Sequence, residues 1–525
     1  MSKDINFSQE ARKGLMRGIN VVADSVACTM GAMGRNVVIE KPAPALPHVT
    51  KDGYSVAKEV WLDDRLANMG AQMIKGVSAK TVKDTGDGTT TATVLAQEMI
   101  AEGMAYLDKG SNPVDLKRGI DEAVALVVKE LALMSKPVNG TEQTRQVATI
   151  SANGDAEIGN IVEDAISKVT KEGTITVEES KSVDTYVDVV EGLKFSRGFT
   201  SSGFINNEAK STVELDDPLI LLTTAKIEAV TDIIKVLECI PESKPIFIIA
   251  GDLSGESVAT LVINKIRGGW KVAAIKAPFL GEKRNYTMED LAIITGGTVV
   301  SEAAGLTFEE FTFDMFGGCD RVVVDKDDTI IIGGHGRAAD IEELKANLRS
   351  NIETSNSPYE IEEIKQRLAL ISGGVAVLYV GANSEIEMKE KKDRIDDALG
   401  ATRAALEEGI VSGGGIALLN VIGALGSLES LTVDIKNGYQ IVIDALLKPL
   451  TVILQNAGLD VDDILDGIGK LDKGYGYDVK KGEYCDMIHA GIIDPTKVTR
   501  VALENAASVA SLVLMTECTI VALDK

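Results

Sequence analysis

The chain has 525 residues, with 79 Asp and Glu against 54 Lys and Arg, a formal net charge of −25, which argues against nucleic-acid or anionic-membrane partners. Five scattered cysteines without a CxxC pair and only three histidines argue against a disulfide framework, a zinc site or a Ser-His-Asp triad. The length implies roughly three to four domains, and at 45% hydrophobic but only 4% aromatic residues their cores must be aliphatic.

The polar start MSKDINFSQEARKG runs straight into an amphipathic helix, and no apolar run is long enough to span a bilayer, so the chain is expected to be cytoplasmic. Helical spacing predicts helices over 8–29, 89–106 and 113–134, with a small β excursion at NVVIEK and a turn at Lys51-Asp52-Gly53. Pro137-Val138-Asn139-Gly140 breaks the helical pattern, and strand-like TITVEES follows at 174–180. From Gly192 short β runs alternate with helices: LILLTT, PIFIIA, VAAIKA, GTVVS and RVVVDKDDTIIIGG, the mark of an α/β layer. Two helices expected there, 227–240 and 256–267, are apolar on more than one face. They are either sandwiched in a core or present an exposed groove. After Ser372-Gly373-Gly374 come strand-like VAVLYVG and a long helix over 384–408. Its buried stripe is expected to be Ile395, Leu399, Thr402 and Leu406, with Asp397 pointing away.

The most informative run is GDGTTTAT at 86–93. Gly86 and Gly88 let a ligand approach the backbone, Asp87 can hold a hard cation, and Thr89, Thr90 and Thr91 open a helix whose free amides favour phosphate. No Gly-Lys-Ser/Thr follows, so this is not a Walker A loop, and a plain helix cap accounts for the same residues. Thr50-Lys51-Asp52-Gly53 sets a cation and a carboxylate on a turn, and Gly413-Gly414-Gly415 offers close approach to a flat or phosphorylated ligand. Asp397 reads equally as a solvated side chain or as a carboxylate presented to water or metal.

Taken together, TGDGTTTATVLAQ (85–97), NPVDLKRGIDEAV (112–124), ATRAALEEGIVSGGG (401–415) and GIIDPTKVTRVAL (491–503) resemble the group I chaperonins, the GroEL type. The resemblance runs nearly the length of the chain and implies a multidomain α/β fold. A mainly helical equatorial domain (1–136 and 409–525) and a small mixed intermediate domain (137–191 and 374–408) would flank an inserted α/β apical domain (192–373). It further implies an ATPase that uses ATP, Mg²⁺ and K⁺, forms a seven-membered homo-oligomeric ring and folds non-native protein clients under a GroES-type co-chaperonin.

By the same resemblance Asp52 and Asp397 promote hydrolysis, and Asp87 binds Mg²⁺. Gly88, Thr89, Thr90 and Thr91 cradle phosphate, Thr29, Met30 and Gly31 close over the nucleotide, and Thr29, Lys51 and Thr90 surround K⁺. Ile150, Ser151, Gly414, Asp478, Val479 and Asp494 complete the nucleotide contacts. Phe199, Phe204, Ile234, Leu237, Val258, Val262 and Ile263 match the positions that hold client and lid, and Pro137, Gly192, Gly374 and Gly409 are hinges.

Some positions depart from that family. Ala32 and Met33 replace a usual Pro and Lys, Asp478 a usual Asn, and Gly203 a usual aromatic. Ala105 and Thr451 lack the usual Lys and Arg of the ring–ring contact, and Lys109 stands where a small residue is usual, so ring pairing is expected to be altered. Two other functions compete: a metabolic ATP-dependent phosphotransferase, with a compact polar substrate pocket, and a nucleotide-binding structural scaffold.

Overall fold

A computed structural model of the chain describes residues 3–522 apart from 43–46, 139, 153, 170–173, 181, 191, 209, 242–243, 302–303, 355–356, 373–374 and 427–430. Two compact units emerge. One comprises Met1–Asp164, Val177–Tyr186 and Tyr379–Lys525, and the other Ala165–Thr176 and Val187–Leu378. The expected hinge Gly374 lies outside the described residues.

The first unit is built on long helices whose ends are written in the sequence. Asp64 caps helix Arg65–Thr85 by accepting from the amides of Leu66 and Ala67 at 3.0 and 3.2 Å. Asn112 caps helix Pro113–Met134 by accepting from Val114 N at 2.9 Å, with proline in the first turn where no amide is missed. Helix Thr89–Asp108 packs against both Thr496–Leu514 and Val433–Asn456, and Ser8–Ala27 packs along Arg65–Thr85. Their shared core is aliphatic apart from Tyr439, as the composition requires. Strands Lys3–Phe7 and Cys518–Ala522 pair antiparallel, with Ile5 opposite Ile520.

Helix Glu385–Glu408 starts as expected, with Ser384 as its cap. Its buried face differs from expectation: Ile395, Leu399 and Thr402 are buried, but Leu406 is 48% exposed. Ala398, Ala401, Ala404 and Ala405 supply the rest of that face. Small side chains let neighbouring backbone come close, and a reading keyed to large apolar residues overlooks them. At the foot of this helix Lys136 and Ile410 exchange two backbone hydrogen bonds of 2.8 Å. The expected hinges Pro137 and Gly409 therefore sit on adjacent passages of chain, with Gly409 at φ +81°.

The second unit is an eight-stranded mixed sheet whose main path runs Val272–Lys276, Ile246–Leu253, Leu219–Ile227, Gly317–Val324, Thr329–Gly334, Gly192–Phe195. The first three strands are parallel and nearly all buried, which is why they read as continuous apolar runs. RVVVDKDDTIIIGG resolves into a hairpin, its turn set by Asp325 accepting from Asp327 N and Asp328 N at 2.6 and 2.7 Å. The helix expected over 227–240 is a correction. Ile227 still pairs with Leu253 in the parallel sheet, and Asp232 accepts from the amides of Glu228 and Ala229, restarting the chain as a 3₁₀ turn. Only Ile234–Glu238 is α-helical there. The second expected helix forms over Gly255–Gly268, capped by Ser254.

The closest helix crossing in the first unit depends on missing side chains. A Cβ on Gly18 would overlap the carbonyl oxygen of Ala67, and one on Gly70 that of Leu15. Gly18→Ala is expected to lower the unfolding free energy of this unit by about 1–3 kcal/mol through overpacking. This is despite alanine's helix preference of about 1 kcal/mol. Gly76→Ala, on the same helix as Gly70 but facing open space, is expected to raise it. Guanidinium unfolding midpoints of the two variants check the opposite signs.

Candidate functional site

The first unit encloses a cavity of about 430 Å³, of a size that accommodates a nucleotide-sized ligand. Its floor is the GDG loop. Helix Arg65–Thr85 ends at Gly86 in the left-handed conformation, φ +74°, and Gly88, φ +87°, precedes helix Thr89–Asp108. No side chain caps that helix, so the amides of its first turn are left to a ligand. The Thr85 hydroxyl donates to the carbonyls of Thr81 and Asp87 at 2.7 Å each, holding the loop shut beneath the cavity. Asp87 accepts from Gly88 N and from the Ser151 hydroxyl.

Asp52 stands at one wall. It caps helix Gly53–Glu59 through Tyr54 N (3.0 Å) and Ser55 N (2.7 Å), which fixes its carboxylate rigidly. Gly53 brings this turn against Thr89 and Thr90, because a Cβ there would overlap the Thr90 hydroxyl. Asp397 enters from helix Glu385–Glu408. Asp494 sits opposite Val411 in the two-stranded pairing of Ile493–Pro495 with Ile410–Ser412, and its carboxylate accepts from the amides of Gly414 and Gly415.

These acids are crowded and only partly open to water through the cavity. Burial, opposed by the Gly88 amide and reinforced by the Asp52 charge, pushes the Asp87 carboxyl up to about 6. Asp397 lies well above the usual carboxylate range, first through burial and then through Asp52 and Asp87. Burial, with the Asp87 charge, raises Asp494 to about 7. Charging them together therefore needs a compensating cation. Among the described residues no three Asp, Glu, His or Cys side chains enclose a metal by themselves. A cation here would take one or two carboxylates and complete its shell with water and phosphate oxygens, the habit of Mg²⁺.

All seventeen residues expected from the sequence at the nucleotide site line this one cavity. Their side chains are not all free. The Thr29 hydroxyl donates to Val26 O at 2.8 Å. Asp478 accepts from the amides of Lys480 and Lys481 at 2.9 and 3.2 Å, so its carboxylate serves its own turn first. Sequence reasoning missed Glu390, Asp393 and Arg394, which join Asp397 along the cavity at helical spacing, a signal present in the pattern 390, 393, 394, 397. It also missed the apolar wall of Leu450, Ile453 and Met487. Asn456 holds the closing loop by donating to the carbonyls of Ala27 and Met30 at 2.9 Å.

In the second unit, Ile234 and Ile263 are 47% and 48% exposed, while Phe199, Leu237, Val258 and Val262 are half-buried. Phe204 is a correction: it is fully buried in the sheet core, so in this conformation it supports the surface rather than forming it. Ile266 and Trp270 add exposed apolar area at and just beyond the end of helix Gly255–Gly268.

The chain matches the TCP-1/cpn60 chaperonin family over residues 22–524, and it belongs to that family. Among solved structures it is similar to the chaperonin gp146 of bacteriophage EL 2 (Pseudomonas aeruginosa), crystallised in the presence of ATP-BeFx. Crystal form II gives a TM-score of 0.65 at 19% identity, and crystal form I a TM-score of 0.61 at 19%. In both, 99% of each chain is covered. The chain is thus a divergent chaperonin with the family's multidomain α/β fold. Among the described residues no helix is long and apolar enough to cross a membrane.

The raised acids carry a sign that can be measured. The folded chain holds a proton on Asp494 up to about pH 7, whereas an ordinary aspartate releases it near 3.8. Between those values the folded state binds more protons than the unfolded one, so stability falls as pH rises through that window. Asp494→Asn retains an acceptor for the Gly414 and Gly415 amides but cannot ionise. The variant is expected to gain on the wild type from pH 4 to 7 and hold a constant lead above it. At about 1.4 kcal/mol per pKa unit, that lead is on the order of 2–4 kcal/mol, read from denaturant unfolding across pH.

Proposed function

We propose that this chaperonin is driven by ATP binding and hydrolysis at the cavity of the first unit, and that it captures non-native proteins on the exposed apolar helices of the second. The observation that carries the reading is the convergence of Asp52, Asp87 and Asp397 beside an uncapped helix N-terminus. Bound ATP with Mg²⁺ would supply an activated phosphoryl group and its leaving group. Asp87 would hold Mg²⁺: its carboxylate lines the cavity between Gly86 and Gly88, directly before the helix N-terminus that would take the phosphates. Gly88 and Thr89 to Thr91 orient the phosphates, while Thr29, Lys51 and Thr90 surround K⁺. Asp52, immobilised by its cap, and Asp397 position the attacking water. Met30 and Gly31 close over the nucleotide, Gly414, Val479 and Asp494 enclose its nucleoside end, and Ile150 and Ser151 add further nucleotide contacts. Asp478 contributes through the shape of its turn.

In this reading the first unit holds the equatorial domain together with much of the intermediate domain, with Pro137 and Gly409 as the hinge, and the second unit is chiefly the apical domain. Ile234, Leu237, Val258, Val262 and Ile263 receive clients and then a GroES-type lid. Unfolded chains expose apolar surface, and covering it yields about 25 cal/mol per Å² without any sequence motif in the client. Subunits assemble into seven-membered rings with altered pairing between rings. Lys109, the charge expected to disturb that pairing, is exposed at the end of helix Thr89–Asp108, its ammonium 5.1 Å from the centre of the Tyr106 ring.

Asp397→Ala is expected to cut ATP turnover by on the order of 10²-fold or more while ATP binding and capture of a denatured protein persist. Steady-state phosphate release with and without denatured client tests this, and unchanged turnover removes Asp397 from the mechanism. Native mass spectrometry with and without ATP is expected to show single rings in at least one nucleotide state; a fourteen-mer in every state would sink the altered-pairing idea.

A further inference from the structure

The Asp397 helix reaches the GDG loop at one point of backbone-on-backbone contact, and both partners there are glycine. A Cβ on Gly400 would lie 2.7 Å from Gly86 Cα, 3.0 Å from its carbonyl carbon and 3.1 Å from its carbonyl oxygen. The reciprocal Cβ on Gly86 would lie 2.7 Å from Gly400 Cα. Real Cβ atoms do not approach backbone so closely, so any side chain at Gly400 must lift the helix off the loop by several tenths of an ångström. Gly400 lies in the middle of helix Glu385–Glu408, φ in the ordinary helical region, where alanine would otherwise be preferred. The glycine is therefore not there for the helix. It is one turn after Asp397, so both stand on the same side of the helix. Asp397 senses the charges of Asp87 and Asp52, the first of which adjoins Gly86.

We infer that Gly400 is a positioning residue for hydrolysis: its missing side chain sets the distance between Asp397 and the loop that carries Asp87. The inference rests on the ATPase reading above and deepens it. Hydrolysis needs Asp397 close enough to the phosphate cradle to hold one water in line. Nucleotide binding draws on the loop, its helix and the other cavity walls but does not require Asp397. The two properties should separate when the seam is widened. An ångström-scale displacement of a positioning group costs up to about a hundredfold in rate.

The experiment compares Gly400→Ala, Gly400→Val, Gly76→Ala and Asp397→Ala in the full-length protein, measuring single-turnover ATP hydrolysis, ADP affinity by titration calorimetry and thermal midpoint. Gly400→Ala is expected to lose ten- to a hundredfold in the hydrolysis rate, with Gly400→Val losing more. ADP affinity should stay within about twofold, as binding does not use Asp397. Gly76→Ala, a helical glycine facing open space, should hydrolyse ATP at the wild-type rate. Wild-type hydrolysis by Gly400→Ala, with Asp397→Ala inactive, overturns this inference alone. Parallel loss of ADP affinity, hydrolysis and thermal midpoint in Gly400→Ala makes the seam merely structural and also overturns it. Undiminished hydrolysis in Asp397→Ala removes Asp397 from the mechanism and overturns this inference, whereas absence of hydrolysis by the wild type overturns the ATPase reading itself.

Discussion

Three carboxylates in one enclosed cavity repel one another and resist leaving water. The architecture of the first unit is organised around holding Asp52, Asp87 and Asp397 together despite that cost. Each is fixed from a different direction. Asp52 is tied to the start of its own helix, Asp87 is set between two left-handed glycines, and Asp397 rides on a helix that meets the loop glycine to glycine. Such a cluster stores an unmet demand for positive charge. It can be relieved by protons, which the raised acids take up, or by a cation. That competition makes a site of this kind sensitive to both pH and metal.

The surrounding helices explain how the cluster survives. The buried residues of the first unit's main core are aliphatic but for one tyrosine, and close crossings at Gly18 and Gly70 let helices approach to backbone contact. Rigid helices transmit small displacements with little loss, so the position of Asp397 depends on packing along the whole of Glu385–Glu408. The second unit solves a different problem. Its parallel strands are nearly all buried, and helix Gly255–Gly268 then carries more apolar surface than the sheet needs. The remainder faces solvent at Ile263 and Ile266. Exposed apolar area that a fold does not use for its own core is available to a partner.

Much of this was legible in the chain. Helical spacing announces the helices over 89–106, 113–134 and 384–408, the apolar runs at 219–224 and 245–250 announce strands, and GDGTTT announces a loop feeding a helix N-terminus, whereas helix Arg65–Thr85 was not expected. Three readings failed for physical reasons. The segment 227–240 has apolar residues at helical spacing, yet sheet pairing at Ile227 and the Asp232 cap divided it. Leu406 fitted a helical stripe, but it is left exposed while Ala398, Ala401, Ala404 and Ala405 are buried. Phe204 is apolar like its neighbours at the expected client face, and only the path of the chain decides that it turns inward.

The sequence by itself determined the local elements, the aliphatic character of the cores and the family resemblance, because each rests on residue type and short-range spacing. Tertiary structure alone decided which acids share a cavity, how far their pKa values rise, and that Gly86 meets Gly400 across 313 intervening residues. Burial and proximity between distant segments are properties of the packed molecule: they depend on where helices cross, and no local pattern encodes the distance between two backbones.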